Sequence, residues 1–549
     1  MKGRWTPILV LAAAQFVMVL DTTVMNVAIS DVVKDLDTTV SQVQLAITLY
    51  TLVMAALMLI GGKLGDILGR RRAFTIGLVI YACGSLTTAV SPNITVLIIG
   101  WSGLEGIGAA LVIPAIASLT ARNYEGSSRA LAYGIIGAMA AIGVAAGPLI
   151  GGFVTQEASW RYVFAGEVVV IAVIVLSVRA IADVPRPERP PRLDLVGGAL
   201  SAAGMALIVF AVLRIPQWGL VQPKGALTIA GTEITPFGFS AVPFLLAIGA
   251  ALMAFFTRWI ARRERLGREP LLRPDLFGVR QLRAGLSMLA SQQLILNGIF
   301  FVLPLYLQVV LGKDALQTGI AILPISLTML PAALLGPRLA AKISPRSIVR
   351  IGLLAMLGAA IGLVSTVDYK LNSVGFGISL GLFGIGIGLL ASQLGNVIMS
   401  SVEGSRASEA GGLQGTAQNL GASMGTALIG AILLSGLASA TAKNVTDNPA
   451  IPASVQEQIV AATEKGIEFV PAAQVESIAR EKGLPADQAT AIAGAYADAE
   501  LTALKQALLG AALFVLVGFL FARRLPSERL GEPAAERAPP GETAAASIA

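Results

Sequence analysis

The chain has 549 residues, 55% of them hydrophobic and only 13% charged. A soluble domain carries about a quarter charged residues, so lipid must solvate most of this surface. The net charge of +7 comes from bases set between apolar runs rather than massed on one face, which excludes a nucleic-acid partner in favour of membrane topology.

The first apolar run starts within a few residues of Met1 and contains Asp21. It lacks a cleavage site before a soluble domain, so a retained first helix is expected rather than a signal peptide. Runs long enough to cross a bilayer fall at 7–29, 43–61, 73–91, 94–120, 130–153 and 162–181, then at 194–214 and 239–261. Six more follow at 282–310, 316–337, 347–366, 374–400, 410–436 and 503–522. Each is about 20 residues or longer. The expected fold is an all-α integral membrane protein of fourteen transmembrane helices, two six-helix halves with two inserted helices.

The domain expectation is a first half over 1–190, the inserted pair over 191–265, a second half over 266–525 and a disordered tail over 526–549. Within the second half, 437–505 reads as an external loop of two or three short amphipathic helices. Most Lys and Arg fall on the side of the N-terminus, so both termini are expected in the cytoplasm. The single cysteine, Cys83, permits no intrachain disulfide.

The halves repeat one another. Gly134, Gly137, Gly143 and Gly147 recur 278 residues later as Gly412, Gly415, Gly421 and Gly425. The same offset carries Gln15 onto Gln293 and Leu104–Val112 onto Leu382–Leu390. Transporters are commonly duplicated in this way, with the solute site at the seam.

GGKLGDILGRRR (Gly61–Arg72) lies between the second and third spans. Its Gly62, Leu64, Asp66, Gly69, Arg70 and Arg71 resemble the signature loop of the major facilitator superfamily. LDTTVMNVAIS (Leu20–Ser30) is similar to the first-helix motif of the fourteen-span drug:proton antiporters, and GVAAGPLIGG (Gly143–Gly152) to their fifth-helix motif. The resemblance covers spans one to thirteen. It implies that Asp66, Arg70 and Arg71 form a gating latch with Gly62 and Gly69. It likewise assigns gating to Gly143, Gly147, Pro148, Gly151 and Gly152, where small residues allow close helix approach and the proline permits a bend. The second half keeps Gly421 and Gly425 but has Thr426 in place of the proline.

Three acids, Asp21, Glu105 and Glu167, lie within first-half spans, with no Lys or Arg deep in any span to neutralise them. A helix rise of about 1.5 Å per residue sets them between midplane and the outer third of the bilayer. Burial of an unpaired carboxylate favours its neutral form, and the chain has no histidine, so these acids are the expected proton-coupling residues. Glu167 is the closest to the interface, where a solvated helix-end residue is the alternative. The repeat puts Ile299 and Phe383 at the positions of Asp21 and Glu105. The family's fourth helix usually carries an Arg with Gln and Gly three and four residues on. Here Ser102, Glu105 and Gly106 stand there, so Glu105 is expected to take over part of the relay.

The second half offers amides. Gln293 and Asn297, and likewise Gln414 and Gln418, share helix faces at i,i+4 spacing. With Asn26, Phe300, Phe301, Gln393 and Asn396 they form the expected substrate-binding set, suited to a lipophilic or cationic small molecule. No Walker loop, metal set, cofactor or catalytic residue is expected, so the chain reads as a non-enzyme. The functional expectation is a proton-coupled exporter of drugs or other amphipathic solutes working by alternating access, monomeric, in a bacterial inner membrane. A dedicated exporter of one endogenous compound and a non-transporting sensor are the rivals.

Overall fold

The computed structural model describes residues 5–124, 126–183, 192–224, 227–229, 232–402, 406–464 and 466–527. Among the described residues fourteen helices are long and apolar enough to cross a membrane, counting one bent helix as a single span. In the first half they are α1 (Thr6–Val27), α2 (Val40–Leu68), α3 (Arg70–Ala89), α4 (Ile94–Asn123), α5 (Gly126–Glu157) and α6 (Arg161–Ala180). The inserted pair is α7 (Leu195–Leu213) and α8 (Ala241–Arg265). The second half supplies α9 (Arg280–Val310), α10 (Ala315–Ala340), α11 (Pro345–Thr366), α12 (Ser373–Met399), α13 (Ala407–Thr446) and α14 (Ala486–Ala522). The chain is a multi-pass membrane protein.

Side-chain caps fix several helix starts, because the first backbone N–H groups of a helix lack partners. Thr39, Asp194, Asp314, Ser344 and Asn372 each accept a bond from the backbone two or three residues into α2, α7, α10, α11 and α12. Between α2 and α3, Gly69 turns the chain at φ 98°, a conformation that disfavours any side chain.

α5 bends by 41° between its 134–144 and 146–157 segments. A helical proline clashes with the carbonyl four residues back, and four before Pro148 is Val144, at that break. α13 runs unbroken through Thr426. The bend belongs to one half.

The halves meet chiefly through α2 against α13 and α5 against α10. α7 lies across that first contact, packing Met205, Val209 and Val212 on Leu52 of α2 and Ala427 of α13. Asp194, 1% exposed, anchors the inserted pair by accepting from Trp259 Nε1 at 3.0 Å and from the Leu271 N–H at 3.3 Å.

Two details differ from the expectation. A two-stranded hairpin, Leu227–Ile229 with Thr232–Ile234, joins α7 to α8. The expected loop at 437–505 is shorter, since α13 continues to Thr446 and α14 begins at Ala486. Hydropathy marks where lipid ends, not where helical hydrogen bonding ends. Two short helices, Ala453–Glu464 and Ala472–Glu481, fill the interval and pack on the α13 and α14 extensions. Of the expected tail, residues 528–549 lie outside the described residues.

Candidate functional site

The three first-half acids converge. Asp21, Glu105 and Glu167 come from α1, α4 and α6, and carboxylate oxygens of all three lie within 4.8 Å of one another. They are 0%, 0% and 3% exposed. Glu167 is therefore a member of a buried cluster and not a solvated helix end.

Neutral side chains, some of them shared, surround the three acids. Trp101 Nε1 donates to both oxygens of Asp21, at 2.9 and 3.1 Å. Thr88 Oγ1 lies 3.2 Å from Glu105 and 2.9 Å from the Gly84 carbonyl, its one proton serving either, and Ser85 Oγ donates to Glu167 at 3.2 Å. One oxygen of each glutamate remains without a partner. No ion pair among the described residues reaches the cluster.

Local backbone makes this possible. α4 widens into a π-helix over Ile98–Glu105, a form common at functional sites. Gly84 of α3 lies against Glu105, where a Cβ would collide with it. Tyr50 stacks on Trp101 with ring centroids 4.7 Å apart and planes 5° from parallel. The buried hydroxyls of Tyr50 and Tyr81 also reach the cluster, both beside Asp21 and Tyr81 beside Glu167 as well. Sequence reasoning does not single out Trp101, Tyr50, Tyr81, Ser85 and Thr88; the only signal for them is polarity or aromaticity inside apolar spans.

A cavity of about 620 Å³ lies between the halves, walled by α1, α2, α4 and α5 on one side and α9, α10, α12 and α13 on the other. Of the residues expected to bind substrate, Asn26, Gln293, Asn297, Phe300 and Gln418 line it, together with Gln15, Thr22, Gln292 and Asn419. Four expected residues do not. Phe301 is 1% exposed and turned into the helix packing. Gln393 is spent between helices, donating to the Gly336 carbonyl at 3.1 Å. Gln414 has a buried amide oxygen away from the lining, and Asn396 is exposed outside it. Residue type identified the polar helices, but the facing of each amide depends on helix rotation.

One end of the cavity is sealed. Gln44 Nε2 donates to the Thr426 carbonyl at 2.9 Å, Ser423 Oγ to Thr48 at 3.0 Å and Gln308 Nε2 to Val27 at 2.6 Å. At the same end Gly152 fits against the Ala315 backbone and Gly319 against the Pro148 carbonyl. Toward the other end of α5, Gly134 and Gly137 line the cavity, and a Cβ on either would meet nothing within 4 Å.

The remaining motif glycines divide by task. Gly143, Gly147 and Gly151 admit Val19, Thr23 and Val24 of α1, and Gly421 and Gly425 admit the α9 backbone at Ala290 and Leu294 in the same way. In the α2–α3 loop Arg70 pairs with Asp66 and lies across Gly65. The Arg71 backbone N–H donates to Asp183 at 2.9 Å, and its guanidinium to the Ile181 carbonyl at 3.2 Å. Gly62 faces only Pro114, at ordinary contact distance.

The sequence profile of the Major Facilitator Superfamily matches residues 11–426. The cephamycin export protein CmcT of Amycolatopsis lactamdurans is 34% identical over 453 residues, covering 80% of this chain and 87% of that one. The puromycin resistance protein pur8 of Streptomyces alboniger is 30% identical over 463 residues, covering 83% and 86%. The multidrug resistance protein Stp of Mycobacterium tuberculosis is 28% identical over 450 residues, covering 81% and 78%. Among solved structures, a bacterial homolog of the human lysosomal transporter Spinster, in an inward-facing and unoccupied conformation, superposes with a TM-score of 0.60 at 15% identity. That match covers 97% of this chain and 99% of the other.

Proposed function

The chain belongs to the Major Facilitator Superfamily, and from that premise we propose that it exports drugs or similar amphipathic small molecules in exchange for protons, by alternating access. The observation that carries this reading is the buried carboxylate cluster beside, but not within, a cavity between two halves. The names of its relatives, which speak of puromycin resistance, cephamycin export and multidrug resistance, support the substrate class.

Three carboxylates this close and this dry repel one another too strongly to be ionised together, so the cluster holds protons and releases them in turn. Asp21 is the member tied to substrate. It sits on the buried side of α1, while Thr22 and Asn26 present the opposite side of that helix to the cavity. Protonating Asp21 occupies a lone pair and weakens the hold of Trp101. That frees α1, with α5 packed on it through Gly143 and Gly147, to tilt against α4. Competition between proton and solute is therefore indirect, passed through α1, since the acids contribute nothing to the cavity wall.

The sealed end is the outer one, the open state faces the cytoplasm, and both termini are cytoplasmic. Protein placement is the bacterial inner membrane, as a monomer. Asp66, Arg70 and Arg71 rearrange when the inner end closes. Glu105 and Glu167 pass the proton between Asp21 and water. One proton falling through about 100 mV releases roughly 2.3 kcal/mol, enough for about a fiftyfold gradient of a neutral solute.

Purified protein in liposomes should release protons when substrate is added. Glu105→Gln should abolish uphill export while retaining substrate binding. Full uphill export by that variant removes Glu105 from the mechanism, and export that ignores an uncoupler removes the proton.

A further inference from the structure

The wall of the cavity is polar but carries no charge. Among the described residues it presents carboxamides from α1, α9 and α13 and hydroxyls such as Thr22, Thr51 and Ser392, and no Asp, Glu, Lys or Arg. The acids cannot reach in to supply one, because α1 stands between and both oxygens of Asp21 are turned to Trp101. A single aromatic ring, Phe300, lines the space, which leaves little for cation–π attraction.

Several amides are already engaged. Asn26 donates to the Thr22 carbonyl at 2.9 Å, Gln292 to Ile387 at 3.1 Å and Asn419 to Gly415 at 2.9 Å. Gln15 and Gln418 have no side-chain hydrogen bond among the described residues, and Gln293 uses only its oxygens. Gln15 and Gln293 hold the same position in the two halves, 278 residues apart, so the free amides are offered from both walls. A carboxamide donates and accepts with equal ease. An organic cation entering here would lose water and find no anion to offset that loss.

We propose that the cavity selects an uncharged amphiphile bearing several oxygen or nitrogen groups, and discriminates against organic cations. This deepens the export reading above. If a proton enters as such a solute leaves, the solute carries no charge, and each proton moves one net positive charge inward.

The test uses the full chain in lipid nanodiscs, with tetraphenylphosphonium as the charged probe. Gln15→Glu and Gln293→Glu should each bind it at least tenfold more tightly than wild type. Wild-type binding within twofold of both variants overturns the proposal. Two positions guard against one variant misfolding, and a monodisperse elution profile qualifies each sample. Binding of radiolabelled chloramphenicol, an uncharged amphiphile, should be weakened by the same changes; strengthening would count against the proposal. Because these are binding measurements, they stand whether or not protons drive export. In liposomes a potassium diffusion potential without a pH gradient should drive chloramphenicol movement. Movement that answers to the pH gradient alone refutes charge-moving exchange of an uncharged solute.

Discussion

The first half and the second half of the chain set equivalent residues on opposite walls of one cavity and differ in what lies behind those walls. Gln15 faces Gln293 across the repeat, Met18 matches Leu296, Thr22 matches Phe300 and Ala140 matches Gln418, each pair 278 residues apart and each lining the space. Behind α1 stand Asp21 and Glu105. Behind α9 the same two positions are Ile299, 1% exposed, and Phe383, fully buried. Helix packing thus needs no acid at either place. The glycine contacts agree, since Gly143 and Gly147 seat α5 on α1 much as Gly421 and Gly425 seat α13 on α9. At these two positions the halves differ in charge, and the cluster is chemistry added to a scaffold that packs without it.

The largest effect should come from erasing that difference. Asp21→Asn is expected to abolish uphill export in proteoliposomes, because the proton then has no acceptor that moves with α1. The mirror change, Ile299→Asp, should leave the coupling mechanism in place and act on stability instead. It buries a polar group among apolar neighbours at a cost of roughly 1–3 kcal/mol, read as a lower Tm in detergent. If Ile299→Asp were neutral in Tm, the second half would be less dry than its packing indicates.

A smaller effect should separate the glycines by task. Gly147→Val drives a side chain into Thr23 and should cost about 1–3 kcal/mol. Gly134→Ala, with no neighbour within 4 Å of the added carbon, should cost nothing and can gain up to about 1 kcal/mol of helix propensity. Thermal melts of the two variants side by side decide this. Equal losses would mean that the repeated glycines share one packing role.

These contrasts show what a sequence can carry. All fourteen spans are legible because twenty apolar residues have few other uses. The acid cluster is legible for a similar reason: three unneutralised carboxylates in apolar helices need each other or a neutral donor. The donors are not. Nothing in the spacing of Trp101, Ser85 or Thr88 says which way each helix is rotated, and the π-turn at Ile98–Glu105 shifts the register by itself. The same ignorance of rotation explains why Gln418 lines the cavity while Gln393, Gln414 and Asn396 do not. The ends of α13 and α14 are not legible because those helices continue into water, where hydropathy falls but hydrogen bonding persists.

The subtlest expected effect concerns the sealed end, where the halves meet through neutral hydrogen bonds but also bring acids together. Asp31, in the short helix Ile29–Asp35, is half-buried. Burial pushes its carboxyl above the usual carboxylate range, Asp314 of the other half and its own neighbour Asp35 push it further, and Lys34 opposes them. A carboxyl that binds its proton more tightly when the end is sealed stabilises sealing as pH falls through its raised value, and weakens it as pH rises above. The group is partly solvated, so the change in the sealed-to-open ratio should not exceed about fivefold, the equivalent of ~1 kcal/mol. Spin labels at Asp37 and Lys313 in a Cys83→Ser background should report a shorter distance at acid pH, and Asp31→Asn should flatten that dependence. A pH response that survives Asp31→Asn would move the sensor to the buried cluster.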